Sequence, residues 1–189
     1  MKPETWAPHV TVAAIVERDG RFLVVEEHTS DGLRINQPAG HLEAGETLVE
    51  AVVRETLEET AHPFTPEALV GVYMAHFFST RRAAPGVLTP PRGAANAVSV
   101  GAVSAQPDSC GTTYLRFTFC GKSGKVLAER ALDADIVRTL WLTADELRAC
   151  TERHRTPLVM HCVDDYLAGR RFPLDFVHTH SVGPKTESQ

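Results

Sequence analysis

The chain has 189 residues, 43% of them hydrophobic and 23% charged, with a formal net charge of −5. That is enough sequence for one domain with a sizeable core, too apolar for a disordered chain, and too acidic for a dedicated nucleic-acid binder, though nucleotides stay open as substrates. Cys110, Cys120, Cys150 and Cys162 form no C-x-x-C pair, Met1–Trp6 has no apolar core, and no run approaches the ~20 apolar residues of a membrane span, so free thiols in a soluble cytoplasmic protein are expected.

Along the chain, His9–Glu17 and Arg21–Glu26 are apolar and β-branched, and Asp19-Gly20 between them marks a hairpin turn. A loop carrying Asp31-Gly32 and Gln37-Pro38-Ala39-Gly40 follows. A helix is predicted from about Thr47 to Thr60, stopped by Pro63, and then a strand over Ala68–Phe78. Residues 79–111 are rich in Pro, Gly and Ala without helical or strand period, and read as a flexible insertion within a single domain. A strand resumes at Thr112–Cys120, with a turn at Gly121–Gly124, and another is expected at Ile136–Leu142. Thr143 to Glu146 is a capping box opening a short helix. Thr156-Pro157 opens the last helix and Gly169 closes it. The tail from about residue 178 is expected to be disordered. Strands and helices in mixed order imply an α/β layered domain.

One segment carries the chemistry. Gly40, Glu46, Arg54, Glu55, Glu58 and Glu59 form G-x5-E-x7-R-E-x2-E-E, a pattern that ordinary residue frequencies produce on the order of 10⁻⁵ times per chain. At about 100° per residue, Glu55, Glu58 and Glu59 share one helical stripe, with Val49, Val53 and Leu57 roughly opposite and flanked by Val52, Thr56 and Thr60. The apolar side is expected to bury against a sheet and the other to present negative charge. Like charges so spaced cost the helix a few tenths of a kcal/mol per pair, and a divalent cation would reverse that sign. Hard oxygen ligands suit Mg²⁺ or Mn²⁺, the usual partners of phosphate substrates. Glu50 stands four residues before Arg54, the favourable order for an ion pair, and Arg54 can orient neighbouring carboxylates without occupying the metal position. Gly40 lets backbone come close to a metal or phosphate with no Cβ in the way.

Gly40–Glu46 through Arg54–Glu59 resembles the Nudix box of the Nudix hydrolases. Pro8–Ala13, Phe22–Glu27, Asn36–Ala44, Leu115–Phe117 and Thr156–Val159 are similar to the phosphatase branch of that family known as NudJ. The resemblance implies the Nudix fold, an α/β/α sandwich with a mixed central sheet. The box departs from the family pattern at Thr56, where an aliphatic residue is usual, at Ala61, where glycine is usual, and at His62, where an apolar residue is usual. None of the three removes a carboxylate. Ala61 costs about 1 kcal/mol if its position needs positive φ.

Carried over by resemblance, Glu55, Glu58 and Glu59 would be catalytic residues that hold Mg²⁺ (or Mn²⁺), with the Gly40 carbonyl as a further ligand and Glu46 and Arg54 bracing the loop against the helix. Glu55, or a glutamate outside the box, would serve as general base. Asp133 and Asp135 are candidates for a further acidic ligand. Arg116 could meet a substrate phosphate, or form a cross-strand salt bridge. Arg81, Arg82 and Arg92 could form a lid or simply a solvated loop, His9 and His41 lie near the presumed site, and Tyr114, Phe117 and Trp141 could stack on a ring or belong to the core. The branch implies release of orthophosphate from nucleoside tri- and diphosphates, thiamine diphosphate and hydroxymethylpyrimidine diphosphate, by a monomer or homodimer acting on small molecules and on neither nucleic-acid polymer nor membrane. Two alternatives remain: a pyrophosphohydrolase of nucleoside diphosphate sugars or oxidised nucleotides, and a nucleotide sensor without turnover.

Overall fold

The computed structural model describes residues 6–78 and 111–180. The expected insertion, except Gly111, and all but the start of the expected disordered tail lie outside the described residues, as do Arg81, Arg82, Arg92 and Cys110. Strands β1 (His9–Arg18), β2 (Arg21–Thr29), β3 (Gly32–Asn36) and β4 (Ala39–His41) precede helix α1 (Leu48–Thr60). Then come β5 (Phe64–Phe78), β6 (Gly111–Ser123), β7 (Ile136–Thr143), the short α2 (Ala144–Arg148) and α3 (Leu158–Leu167). The hairpin turn is where the sequence puts it, with Asp19 at φ 53° and Gly20 at φ 74°, the two left-handed positions of a tight hairpin turn.

The sheet runs β3-β2-β1-β6-β5, with β4 paired to β1 and β7 to β2. It is mixed, because β1 and β6 are parallel while the other pairs are antiparallel. β1 and β2 pair only near their turn, at Glu17–Phe22 and Arg18–Arg21. Beyond it each recruits a new partner, so the sheet opens between them. Alternation along β1 supplies both cores: Val12, Ala14 and Val16 pack with Ala51 and Val52 of α1, whereas Ile15 packs with Leu147 of α2 and Cys162 and Val163 of α3. The result is the expected α/β/α arrangement. Among the described residues no helix is long and apolar enough to cross a membrane.

Three expectations need correction. β3 and β4 were expected as loop; they are too short, and too rich in Gly and Pro next to them, to show alternation, and they exist through pairing with β2 and β1. β5 begins at Phe64, four residues early, and passes Pro66 through an irregularity in register. Gly121 is in a strand and not a turn: a Cβ there would sit 2.1 Å from the Thr65 carbonyl oxygen, so this glycine permits close backbone approach beside the irregularity.

Helix α1 is capped as a box, with Thr47 accepting from Glu50 N and Glu50 accepting from Thr47 N. Its far end closes on Ala61 at φ 55°, whose N–H bonds Leu57 O. The position does take the left-handed geometry on which the cost of Ala61 depends. Ala61→Gly is expected to gain about 0.5–1 kcal/mol, the relief of αL strain less the added chain entropy. A thermal melt should rise by roughly 1–4 °C, and an unchanged or lower midpoint would show that the buried methyl outweighs the strain.

Candidate active site

The acidic stripe of α1 faces inward, contrary to the wheel. Its deeply buried residues are Ala51, Val52, Glu55, Thr56, Glu59 and Thr60, while Val49, Val53 and Leu57 are half-buried. The wheel assigns the apolar residues to the core; the packed helix instead turns two carboxylates toward β4, where partners await them. Thr56 lies on the buried flank as expected, and its hydroxyl bonds Val52 O at 2.7 Å, so a polar residue is absorbed without an orphaned group.

Arg54 organises the outer edge of the stripe. Its Nε and NH2 reach the two oxygens of Glu46 at 3.1 and 2.7 Å, its NH1 reaches Glu55 at 2.8 Å and Glu58 at 3.1 Å, and NH2 also donates to His41 O at 2.9 Å. These contacts hold its pKa above the usual arginine value, chiefly through Glu46. The hydrogen bond from Arg54 in turn lowers Glu46. Glu50, expected to pair with Arg54, is occupied at the helix cap, accepting from Thr47 N at 2.8 Å. Glu46 also accepts from Glu43 N at 2.7 Å, so one carboxylate fixes the loop and, through Arg54, ties it to the helix.

Glu55 lies against Gly40. A Cβ on Gly40 would be 2.1 Å from the Glu55 carboxyl carbon and both its oxygens, and Gly40 has no positive φ; here it is space that glycine supplies. Glu59 reaches the same strand and accepts from Ala39 N at 2.8 Å. Burial raises Glu55 above its ordinary value. Glu59 is pushed up to about 8 from 4.5, first by burial and then by the nearby charges of Glu27, Glu55 and Asp133, against the pull of Ala39 N–H.

A carboxyl raised on folding weakens the fold as pH climbs between those two values, because the unfolded chain ionises first. In EDTA, Glu59→Gln and the parent chain are expected to be equally stable near pH 4. By pH 8 the variant should be the more stable by a few kcal/mol, each pKa unit being about 1.4 kcal/mol. Urea denaturation at several pH values reads this; a variant less stable at pH 8 would contradict it.

Asp133 joins the cluster from outside the box. The segment after β6 runs back along the end of α1, with Leu127 N donating to Ala61 O at 2.9 Å and Asp133 N to Glu58 O at 3.2 Å. One ligand oxygen from each of Glu55, Glu58 and Asp133 then lies within 4.8 Å of the others. Asp135, the other candidate, instead gives its backbone carbonyl to His28 N at 2.8 Å. An all-carboxylate set of this tightness suits a hard divalent cation such as Mg²⁺ or Mn²⁺.

Beyond β4 lies a groove of about 390 Å³ that shares Gly40 with the acidic cluster. Tyr114, His41 and Phe77 form an aromatic wall; the Tyr114 ring centroid is 5.3, 6.1 and 5.5 Å from those of His9, His41 and Phe77. Phe117 and Trp141 belong to the core on the α1 side. The groove also contains Arg116, for which one of its two expected roles, a cross-strand salt bridge, is absent: among the described residues no carboxylate lies within 4 Å of its guanidinium. Glu26 and Glu27, which no sequence motif singles out, are both buried. Glu26 is paired to Arg138 and Arg153, and Glu27 to Arg155. Two adjacent acids ending an apolar strand were the available signal, since buried carboxylates are paired.

A model of the NUDIX domain matches residues 7–162. The chain is 35% identical over 170 residues to Phosphatase NudJ of Escherichia coli K12, covering 90% of each, and equally so to Phosphatase NudJ of Shigella flexneri. Among solved structures, a NUDIX hydrolase from Nitrosomonas europaea superposes with TM-score 0.72 at 42% identity, covering 92% of this chain and 98% of that one. A UDP-X diphosphatase shares the fold at TM-score 0.57 and 20% identity, over 90% of this chain and 68% of that one. The carboxylate-bearing helix, the glycine it packs on and these likenesses agree: the chain belongs to the Nudix family, hydrolases of phosphoanhydrides.

Proposed function

We propose that the protein is a Mg²⁺-dependent phosphatase, also served by Mn²⁺, that releases orthophosphate from nucleoside tri- and diphosphates and from small diphosphates such as thiamine diphosphate or hydroxymethylpyrimidine diphosphate. The observation that carries this reading is the convergence of Glu55, Glu58 and Asp133, with Glu55 packed on the Gly40 that also lines the groove. The likeness to Phosphatase NudJ supports the orthophosphate-releasing form. This reading includes a cytoplasmic location and a monomer or homodimer.

Glu55, Glu58, Glu59 and Asp133 would hold the cation, with the Gly40 carbonyl beside them. When bound, it neutralises phosphate charge and lowers the pKa of water. Arg54 keeps Glu55 and Glu58 oriented and Glu46 fixes Arg54, so the carboxylates need little rearrangement. Water attacks the terminal phosphorus, the bridging P–O bond breaks and orthophosphate leaves. The proton from water passes to Glu55, or to a glutamate outside the box, as general base.

The test is ³¹P NMR with Mg²⁺ and GTP, GDP, thiamine diphosphate and ADP-ribose, beside Glu59→Gln. Orthophosphate from the first three, lost in the variant, is the expected result. Pyrophosphate from GTP, or AMP from ADP-ribose, would establish a pyrophosphohydrolase instead, and binding without turnover a sensor.

A further inference from the structure

On the groove side of β4 there is a buried cation with which no carboxylate among the described residues pairs directly. Arg116 is 6% exposed, its Nε has no hydrogen-bond partner among the described residues, and its NH2 donates to Asn36 Oδ1 at 3.2 Å. Among the described residues Glu26 pairs with Arg138 and Arg153, and Glu27 pairs with Arg155 while its other oxygen has no partner. Glu59 accepts from Ala39 N without a cation, and Glu59 and Glu27 act on Arg116 only through space, beyond ion-pair distance. A buried, under-bonded charge is costly and persists in native proteins where something completes it. Since Arg116 lines the groove, the completing group enters from solvent.

The chemistry of that group follows from the lining, which is rich in donors. Arg34 gives NH1 to the neighbouring Leu33 carbonyl at 3.0 Å and has no ion pair among the described residues. Asn36 spends its oxygen on Arg116, leaving its amide N–H groups. Against these donors stands one carboxylate among the described residues of the lining, the exposed Asp31. Planar guanidinium donors with few acceptors select an oxyanion. Strand register sets the distance: Arg116 lies beside Thr11, and Thr11 beside His41. Two inter-strand steps of about 4.8 Å each put the Arg116 backbone roughly 10 Å from β4, and its long side chain spans part of that. Gly40, on β4, borders both groove and acidic cluster.

Building on the reading of the acidic cluster as a phosphatase centre, we propose that the groove is a metal-independent oxyanion subsite, in which Arg116, with Arg34 and Asn36, binds the non-reacting phosphate of a substrate whose terminal phosphate lies at the carboxylates. The aromatic wall at Tyr114 then faces the organic group. The subsite makes the second phosphate, rather than the ring, the main source of affinity.

The test is calorimetric titration of the full chain in EDTA with inorganic pyrophosphate, GDP and guanosine, for the parent, Arg116→Met, Arg34→Ala and Glu58→Gln. Pyrophosphate and GDP are expected to bind the parent, and guanosine far more weakly. Arg116→Met should weaken both anions at least about tenfold, as expected for losing charge-assisted hydrogen bonds, yet melt at a higher temperature, because an unpaired buried charge has gone. A merely structural arginine would lower the melting point and leave binding alone. Arg34→Ala, on a half-exposed strand position, should also weaken anion binding and carries the test if Arg116→Met does not fold. Glu58→Gln should retain pyrophosphate binding even where hydrolysis is lost, which separates this subsite from the catalytic reading. Failure of the parent to bind pyrophosphate without metal, equal affinity in the arginine variants, or guanosine binding as tight as GDP would overturn the proposal.

Discussion

Glu58→Gln is expected to lower kcat about 10³-fold or more while the metal-free protein melts within a few degrees of the parent. The carboxylate oxygen it removes is one of three within 4.8 Å. A correctly held cation contributes several kcal/mol at a phosphoryl transition state, and each 1.36 kcal/mol is about tenfold in rate. The fold depends on Glu58 far less. Its side chain is 31% exposed, and Arg54 keeps Glu46 and Glu55 when Glu58 becomes neutral. Steady-state kinetics with Mg²⁺ and Mn²⁺, set beside a melt in EDTA, check both halves. Activity within tenfold of the parent would remove Glu58 from the metal-binding set, and the same experiment on Asp133→Asn would show whether that residue belongs in it.

The second large effect is expected at Gly40. In Gly40→Ala the new methyl would meet the Glu55 carboxylate at 2.1 Å, a separation that no adjustment of a few tenths of an ångström relieves. Glu55 cannot swing away freely, because Arg54 NH1 holds it at 2.8 Å. It must be displaced by an ångström or more, which at a reacting centre costs on the order of 10²-fold in rate, and the crowding should lower stability by about 1–3 kcal/mol. The double variant Gly40→Ala with Glu55→Asp separates the two consequences. Shortening the acid makes room for the methyl and should recover much of the stability, but it moves the carboxylate and leaves activity low. Kinetics and urea denaturation of the three variants read this directly. Full activity in Gly40→Ala would mean that the Glu55 rotamer packed on Gly40 is not the working one.

Much of this could be read from the residues in order. The hairpin at Asp19-Gly20, the capped helix from Thr47 and the capping box at Thr143–Glu146 depend on contacts between near neighbours, and local chemistry decides them. The mismatch at Ala61 was legible for the same reason, since a helix end with a left-handed residue prefers glycine whatever surrounds it. β3, β4 and the first part of β5 were not legible. Their pairing partners lie elsewhere in the chain, and their Pro and Gly residues, read locally, signal turns.

The sequence by itself determined the reaction class, because the spacing of Glu55, Glu58 and Glu59 behind Gly40 is a property of one loop and one helix. Only the tertiary structure decided which way that helix turns, what fills the space over Gly40, and that Asp133 rather than Asp135 meets the box. It also left Arg116 buried without an ion pair among the described residues, where the sequence allowed either a cross-strand salt bridge or a substrate phosphate. The physical reason is common to all four. A helical wheel and a strand alternation fix angles within an element, whereas burial and charge pairing depend on which distant segment packs against it.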